Sequence, residues 1–113
     1  MKDDRIYLGH IREALQDVEQ YASVGRDAFM TDKMRQDALL RKLEVIGEAV
    51  KNLSEDSKGR RREIPWRQIA GIRDRLTHDY FGVDLGLVWV TVEKDVPKLK
   101  AAVEQLLAEA EHR

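Results

Sequence analysis

Residues 73–80 read RDRLTHDY, which places Arg73, Asp74, His78 and Tyr80 within one short stretch. A guanidinium presents a fixed fork of donors to anionic oxygens. An imidazole, with its unperturbed pKa near neutrality, can take or give a proton under ordinary conditions. Together they could hold an anion and move a proton beside it. On a regular helix, at about 100° per residue, Arg73 and Tyr80 lie about 20° apart, whereas His78 lies about 140° from Arg73. A working site therefore needs the helix to loosen between Leu76 and Gly82, or it must draw residues from two chains. The other reading is a solvated helix end, where the macrodipole favours a cationic His. Spacing alone leaves both open.

The elements that must position these residues are helices. Leu8, Ile11, Leu15, Val18 and Ala22 follow 3–4 spacing and predict a helix over about 4–23, with Gly25 ending it. Leu39, Leu43, Ile46, Val50 and Leu53 predict a second from about Thr31 to Leu53, capped by Thr31 or Asp32. A hydrophilic break, SEDSKGRRRE, precedes a third helix that opens at IPW, where Pro65 suits a first turn. Its stripe is Trp66, Ile69, Ile72 and Leu76, and Gly82 is the expected stop. Trp89, Val92, Val96, Leu99, Val103, Leu106 and Ala110 predict a last helix over about 85–110, kinked at Pro97 or split there with Asp95 as a new cap. The expected fold is all-α: a single domain over residues 1–113, an antiparallel up-and-down bundle of four to five helices.

Composition narrows the function classes. The chain has 113 residues, 42% hydrophobic and 36% charged, which suits a helical core under a heavily solvated surface. No apolar run approaches the ~18 residues of a membrane span, and MKDDRIYLGH lacks the apolar core of a secretory signal. The absence of cysteine excludes disulfide and thiolate chemistry, and a cytoplasmic location is expected. A net charge of −1 gives no global attraction to nucleic acid, so such binding would need a local patch. Lys58, Arg60, Arg61 and Arg62 in KGRRR are candidates for that patch, or else a solvated loop. Asp3-Asp4 and Glu109–Glu111 do not recur at metal-ligand spacing, so neither a metal site nor a cofactor is expected.

The stretch WRQIAGIRDRLTHDYFGVDLGLVWVTVEKDVPKL resembles the HepT-like branch of the HEPN superfamily, helical-bundle proteins of prokaryotic toxin–antitoxin pairs. Arg73, Asp74, His78 and Tyr80 match that family's Arg-polar…His-x-Tyr motif position for position. RKLEVIGEAVKNLS is similar to its second helix, including Gly47-Glu48-Ala49, and VWVTVEKDVPKL to its last helix with the same proline. The similarity runs from about residue 4 to residue 107.

The resemblance implies a metal-independent endoribonuclease, the toxin of a type II/VII-like toxin–antitoxin module. Cleaving RNA without a metal requires deprotonation of a 2′-hydroxyl, attack on the adjacent phosphorus and protonation of the leaving 5′-oxygen. His78 is the expected acid/base, and Arg73 binds the phosphate and stabilises its growing charge. Asp74 would orient one of them or serve as an ordinary surface carboxylate. Tyr80 would contact phosphate, stack on a base or pack at the helix end. His10 and His112 have no tie to this set in the sequence. The family's habit of pairing two motifs across one cleft implies a twofold homodimer. It also implies a partner, a minimal nucleotidyltransferase (MNT-type) antitoxin that AMPylates the motif tyrosine, here Tyr80, placing negative charge where substrate phosphate must bind. Two other readings stand beside this one: a non-catalytic RNA- or nucleotide-binding helical dimer regulated by such a partner, and a purely structural dimer.

Overall fold

The computed structural model of the chain describes residues 3–78 and 82–111, His78 by its backbone only. Tyr80, Phe81 and His112 therefore lie outside the described residues. Seven helices occur among the described residues: α1 (Asp4–Ala22), α2 (Arg26–Met30), α3 (Lys33–Lys51), α4 (Glu55–Gly59), α5 (Trp66–Ala70), α6 (Ile72–Leu76) and α7 (Leu85–Glu111). Two short strands, β1 (Thr77–His78) and β2 (Gly82–Val83), pair antiparallel between α6 and α7.

The long helices obey the predicted stripes, because each buries one face against the others. Leu8, Ile11, Leu15 and Val18 of α1, Leu39, Leu43, Ile46 and Val50 of α3, and Val96, Leu99, Val103 and Leu106 of α7 are all buried. Helix α1 lies between α3 and α7 and runs antiparallel to both. Lys42 of α3 pairs with Asp17 at 3.0 Å, while the start of α1 meets Ser54 just past the end of α3. On the other side Lys100 of α7 pairs with Glu19 at 2.9 Å. Helices α5 and α6 close the fourth side, with Ile69 and Ile72 buried over α3. The protein is an all-α antiparallel bundle.

Four sequence expectations change. Helix α2 was not foreseen; Gly25, at φ +90°, opens it, and it inserts Phe29 against Trp89 with ring centroids 5.3 Å apart. The hydrophilic break contains α4, capped by Ser54. The third helix is broken at Gly71 (φ −98°, ψ 25°) into α5 and α6, and it stops at Leu76 rather than Gly82: Thr77 is extended, its Oγ1 donates to the Arg73 carbonyl at 2.9 Å, and the Asp84 amide bonds the Leu76 carbonyl at 2.8 Å. Of the two forms expected for the last helix, a kink or a split at Pro97, the split does not occur: α7 runs unbroken through Pro97. Pro97 is exposed and forfeits one backbone bond, while buried Val96 and Leu99 on either side keep the helix seated. Asp95 starts no new helix and instead faces Arg75 at 3.9 Å.

Asp4 fastens α1 to α4. Its carboxylate accepts from the Ser54 amide at 3.0 Å and from the Ser54 and Ser57 hydroxyls at 2.5 Å. Partial burial pushes its pKa up, but the Ser54 and Ser57 hydroxyls and the Ser54 amide outweigh this and leave it below the ordinary aspartate value. A carboxyl depressed by folding adds stability above its unfolded pKa and loses it as pH falls through the folded one. Asp4→Asn is expected to cost about 1.5 kcal/mol near neutrality, the low end for hydrogen bonds to a charged group. Thermal melts should show the gap between variant and wild type closing as the pH falls below the ordinary aspartate range.

Candidate active site

Position 47 decides where the site sits. A Cβ built on Gly47 of α3 would lie 2.9 Å from the Ile69 carbonyl oxygen and 3.2 Å from that of Ala70. Only glycine lets the α5 backbone approach α3 this closely. The approach seats Ile69 and Ile72 and brings the first turn of α6 over the outer face of α3.

Arg73 emerges there, exposed on α6, with its Nε 3.8 Å from Glu44 Oε1. Glu44 also faces Arg41 at 3.5 Å, so one largely buried carboxylate serves two guanidinium groups. Arg41, Glu44, Glu48 and Lys51, together with Arg73 and Asp74, line a cleft of about 330 Å³ between α3 and α6. Lys51 pairs with Glu48 at 3.0 Å. The long reach from Arg73 to Glu44 is a loose ion pair at an exposed position, which an anion with better geometry can replace.

The structure brings Arg73 and Asp74 into one cleft. It takes His78 off the helix and into β1, where it pairs with Gly82, so the 140° divergence of a regular helix does not apply. Gly82, at φ +74°, occupies a backbone region that L side chains rarely adopt. The His78 side chain and Tyr80 lie outside the described residues.

The four cations of the KGRRR stretch separate. Arg61 bonds Glu109 of α7, and Arg60 reaches both Glu109 at 3.4 Å and Asp56 at 3.1 Å. The hydrogen bond from Arg61, aided by Arg60, holds the Glu109 carboxyl below its usual range. Lys58 and Arg62 face the other way, toward α5.

Sequence reasoning missed the α3 side of the cleft. The signal was present: Arg41, Glu44, Glu48 and Lys51 recur in steps of 3, 4 and 3, a polar stripe beside Gly47. Alternating charge on a helix ordinarily marks a solvated face, and only the docking of α6 turns this one into a wall. His10 likewise has no tie to the motif in the sequence. It lies exposed on α1, edge-on to Tyr7 with ring centroids 6.3 Å apart, in a second groove that shares Arg41 and Glu48 with the first.

Known proteins resemble nearly the whole chain. The family model for ribonuclease HepT-like proteins matches residues 11–106. The chain is 46% identical over 101 residues to a Thermococcus cleftensis protein named "Probable ribonuclease HepT", covering 88% of this chain and 92% of that one. A Caldanaerobacter subterraneus protein named as a candidate RNase is 39% identical over 95% of this chain and 96% of its own. A Methanocaldococcus jannaschii protein, named as a gamma-glutamylcyclotransferase and candidate RNase, is 46% identical over 96% of this chain, which spans 49% of that relative's length. No solved structure matches significantly.

The Gly47 contact is testable. Gly→Ala in an open helix stabilises by up to about 1 kcal/mol, and Gly9, where an added Cβ would meet nothing within 4 Å, should behave so. Gly47→Ala should instead cost about 1–3 kcal/mol through overpacking against backbone. Denaturant melts of the two variants should therefore move in opposite directions.

Proposed function

This chain belongs to the ribonuclease HepT-like family, and from that premise we propose that it is a metal-independent endoribonuclease centred on Arg73 and His78. The observation that carries the reading is the placement of Arg73: exposed, loosely held by Glu44, at the mouth of a cleft beside the strand that bears His78. Arg73 takes the scissile phosphate by exchanging Glu44 for phosphate oxygens, and its fixed charge meets the negative charge that grows there during attack. Glu44 keeps Arg73 and Arg41 aimed at the cleft before substrate arrives.

His78 removes the proton from the 2′-hydroxyl, whose oxygen attacks the adjacent phosphorus. The P–O5′ bond breaks, the 5′-oxygen leaves with a proton, and a 2′,3′-cyclic phosphate remains. Two proton transfers are needed and the motif carries one histidine. His78 can serve both in turn, or a twofold dimer can supply the second from its other motif. In this reading the enzyme is the toxin of a two-gene pair, and an MNT-type nucleotidyltransferase silences it by AMPylating Tyr80. The non-catalytic binding module uses the same Arg73 cleft without proton transfer, and cleavage itself decides between the two.

Purified protein in excess chelator should cleave a mixed RNA pool and leave 2′,3′-cyclic or 3′-phosphate ends. His78→Ala should abolish that cleavage with circular dichroism unchanged. Ends bearing 5′-phosphate would mean attack by water and would sink the mechanism. A second expectation concerns the dimer. If Arg73 and His78 act across two chains, mixing Arg73→Ala with His78→Ala protein restores one of the two composite sites. If each chain uses its own pair, no activity returns.

A further inference from the structure

Three cations tied neither to α7 nor to the Arg73 cleft meet in one place. Lys58 of α4, Arg62 of the following turn and Arg67 of α5 line an open groove of about 500 Å³, floored by Pro65 and Trp66. The one carboxylate on its wall, Glu55, lies 3.6 Å from Lys58 and is almost fully exposed. Among the described residues neither Arg62 nor Arg67 has a carboxylate within ion-pair distance. In a chain of net charge −1 this is a concentration of positive charge.

The groove is also held in shape. The buried Trp66 indole N–H donates to the Lys58 carbonyl at 3.1 Å and to the Arg61 carbonyl at 3.0 Å, pinning the turn that carries Arg62. Arg60 and Arg61 add their ion pairs to Glu109 from behind. A turn fixed in this way loses less entropy when its side chains take a ligand. The KGRRR cations thus divide by task, two bracing the turn and two facing the groove, with Arg67 as a third groove cation outside that stretch.

We propose that the Lys58–Arg62–Arg67 groove is a second phosphate-binding site, which grips the RNA backbone beyond the scissile phosphate held by Arg73. The proposal rests on the ribonuclease reading for the identity of the polyanion. The chain itself links the two places. Gly71 joins the two short helices, its amide bonding the Arg67 carbonyl at 3.2 Å and its carbonyl accepting from the Arg75 amide at 3.3 Å. Arg73 follows Arg67 by six positions, so whatever the bend at Gly71 their Cα atoms lie within roughly 22 Å, the reach of a fully extended chain. An oligonucleotide can reach both places at once. Long, rotatable cations over an apolar floor suit a backbone of repeated phosphates without base selection.

The test uses a short 2′-O-methyl RNA oligonucleotide, which cannot undergo 2′-hydroxyl attack, with binding followed by fluorescence anisotropy over a range of salt. Arg62→Gln/Arg67→Gln should weaken binding at low salt by roughly tenfold or more. It should also flatten the plot of log affinity against log salt by about 0.7 for each cation lost. Arg60→Gln/Arg61→Gln should lower the melting temperature and keep the slope. An unchanged slope in the Arg62/Arg67 variant, or a wild type that does not bind the oligonucleotide, overturns the groove. Tighter binding of poly-glutamate than of RNA to the wild type, lost in the same variant, would give the groove to an acidic protein and overturn it as well. Chelator-resistant cleavage by wild type is measured in parallel. Binding with the expected slope but without cleavage leaves the groove standing and removes the nuclease reading.

Discussion

The contact between the α3 and α5 backbones at Gly47 is the constraint from which the site follows. Remove the space for that contact and α5 must rise off α3, since a backbone carbonyl cannot rotate aside as a side chain can. Ile69 and Ile72 would then lose their seat in the core, and Arg73, one residue beyond Ile72, would leave the neighbourhood of Glu44. Packing precision and charge placement are therefore one matter here. A site on helices inherits their rigidity, whereas a site on an unsupported loop does not.

The cations occupy three kinds of setting. Arg60 and Arg61 are bound to Glu109 and fasten a turn to α7. Arg41 and Arg73 share Glu44, each held weakly enough to be reassigned. Lys58, Arg62 and Arg67 surround an open groove. A net charge of −1 conceals this sorting, because the total counts charges without regard to where each is neutralised.

Sequence patterning revealed the long helices because each carries a buried stripe over several turns, and periodicity needs that length to register. Helices α2 and α4, at five residues each, are too short for it; a capping serine and a buried Phe29 define them only once their neighbours are in place. The end of α6 was hidden for a different reason. Its signal is Thr77 turning extended and closing the Arg73 carbonyl, a local choice that the apolar stripe ending at Leu76 does not report. In the candidate site, Arg73 was legible from its motif, while its companion Glu44 was not. Glu44 reads as one more solvated helix charge until α6 docks beside it, and Arg67 reads so until the Trp66-anchored turn brings Lys58 and Arg62 alongside. Residues within a motif can be found by spacing, but residues recruited from another helix require the tertiary fold.

The position of α1 between α3 and α7 also bears on the order of assembly. Its contacts with α3 close short stretches of chain, whereas the Lys100–Glu19 pair spans 81 residues. Closing the longer loop costs more chain entropy, by about 0.6 kcal/mol for each doubling of length. The α1–α3 hairpin and the α3–α6 cleft can form from the first two-thirds of the chain, before α7 docks. A chain emerging from the ribosome would thus present Arg73 and its carboxylate neighbours while one side of α1 still awaits cover. Helix α7 then supplies the remaining cover through Val96, Leu99, Val103 and Leu106.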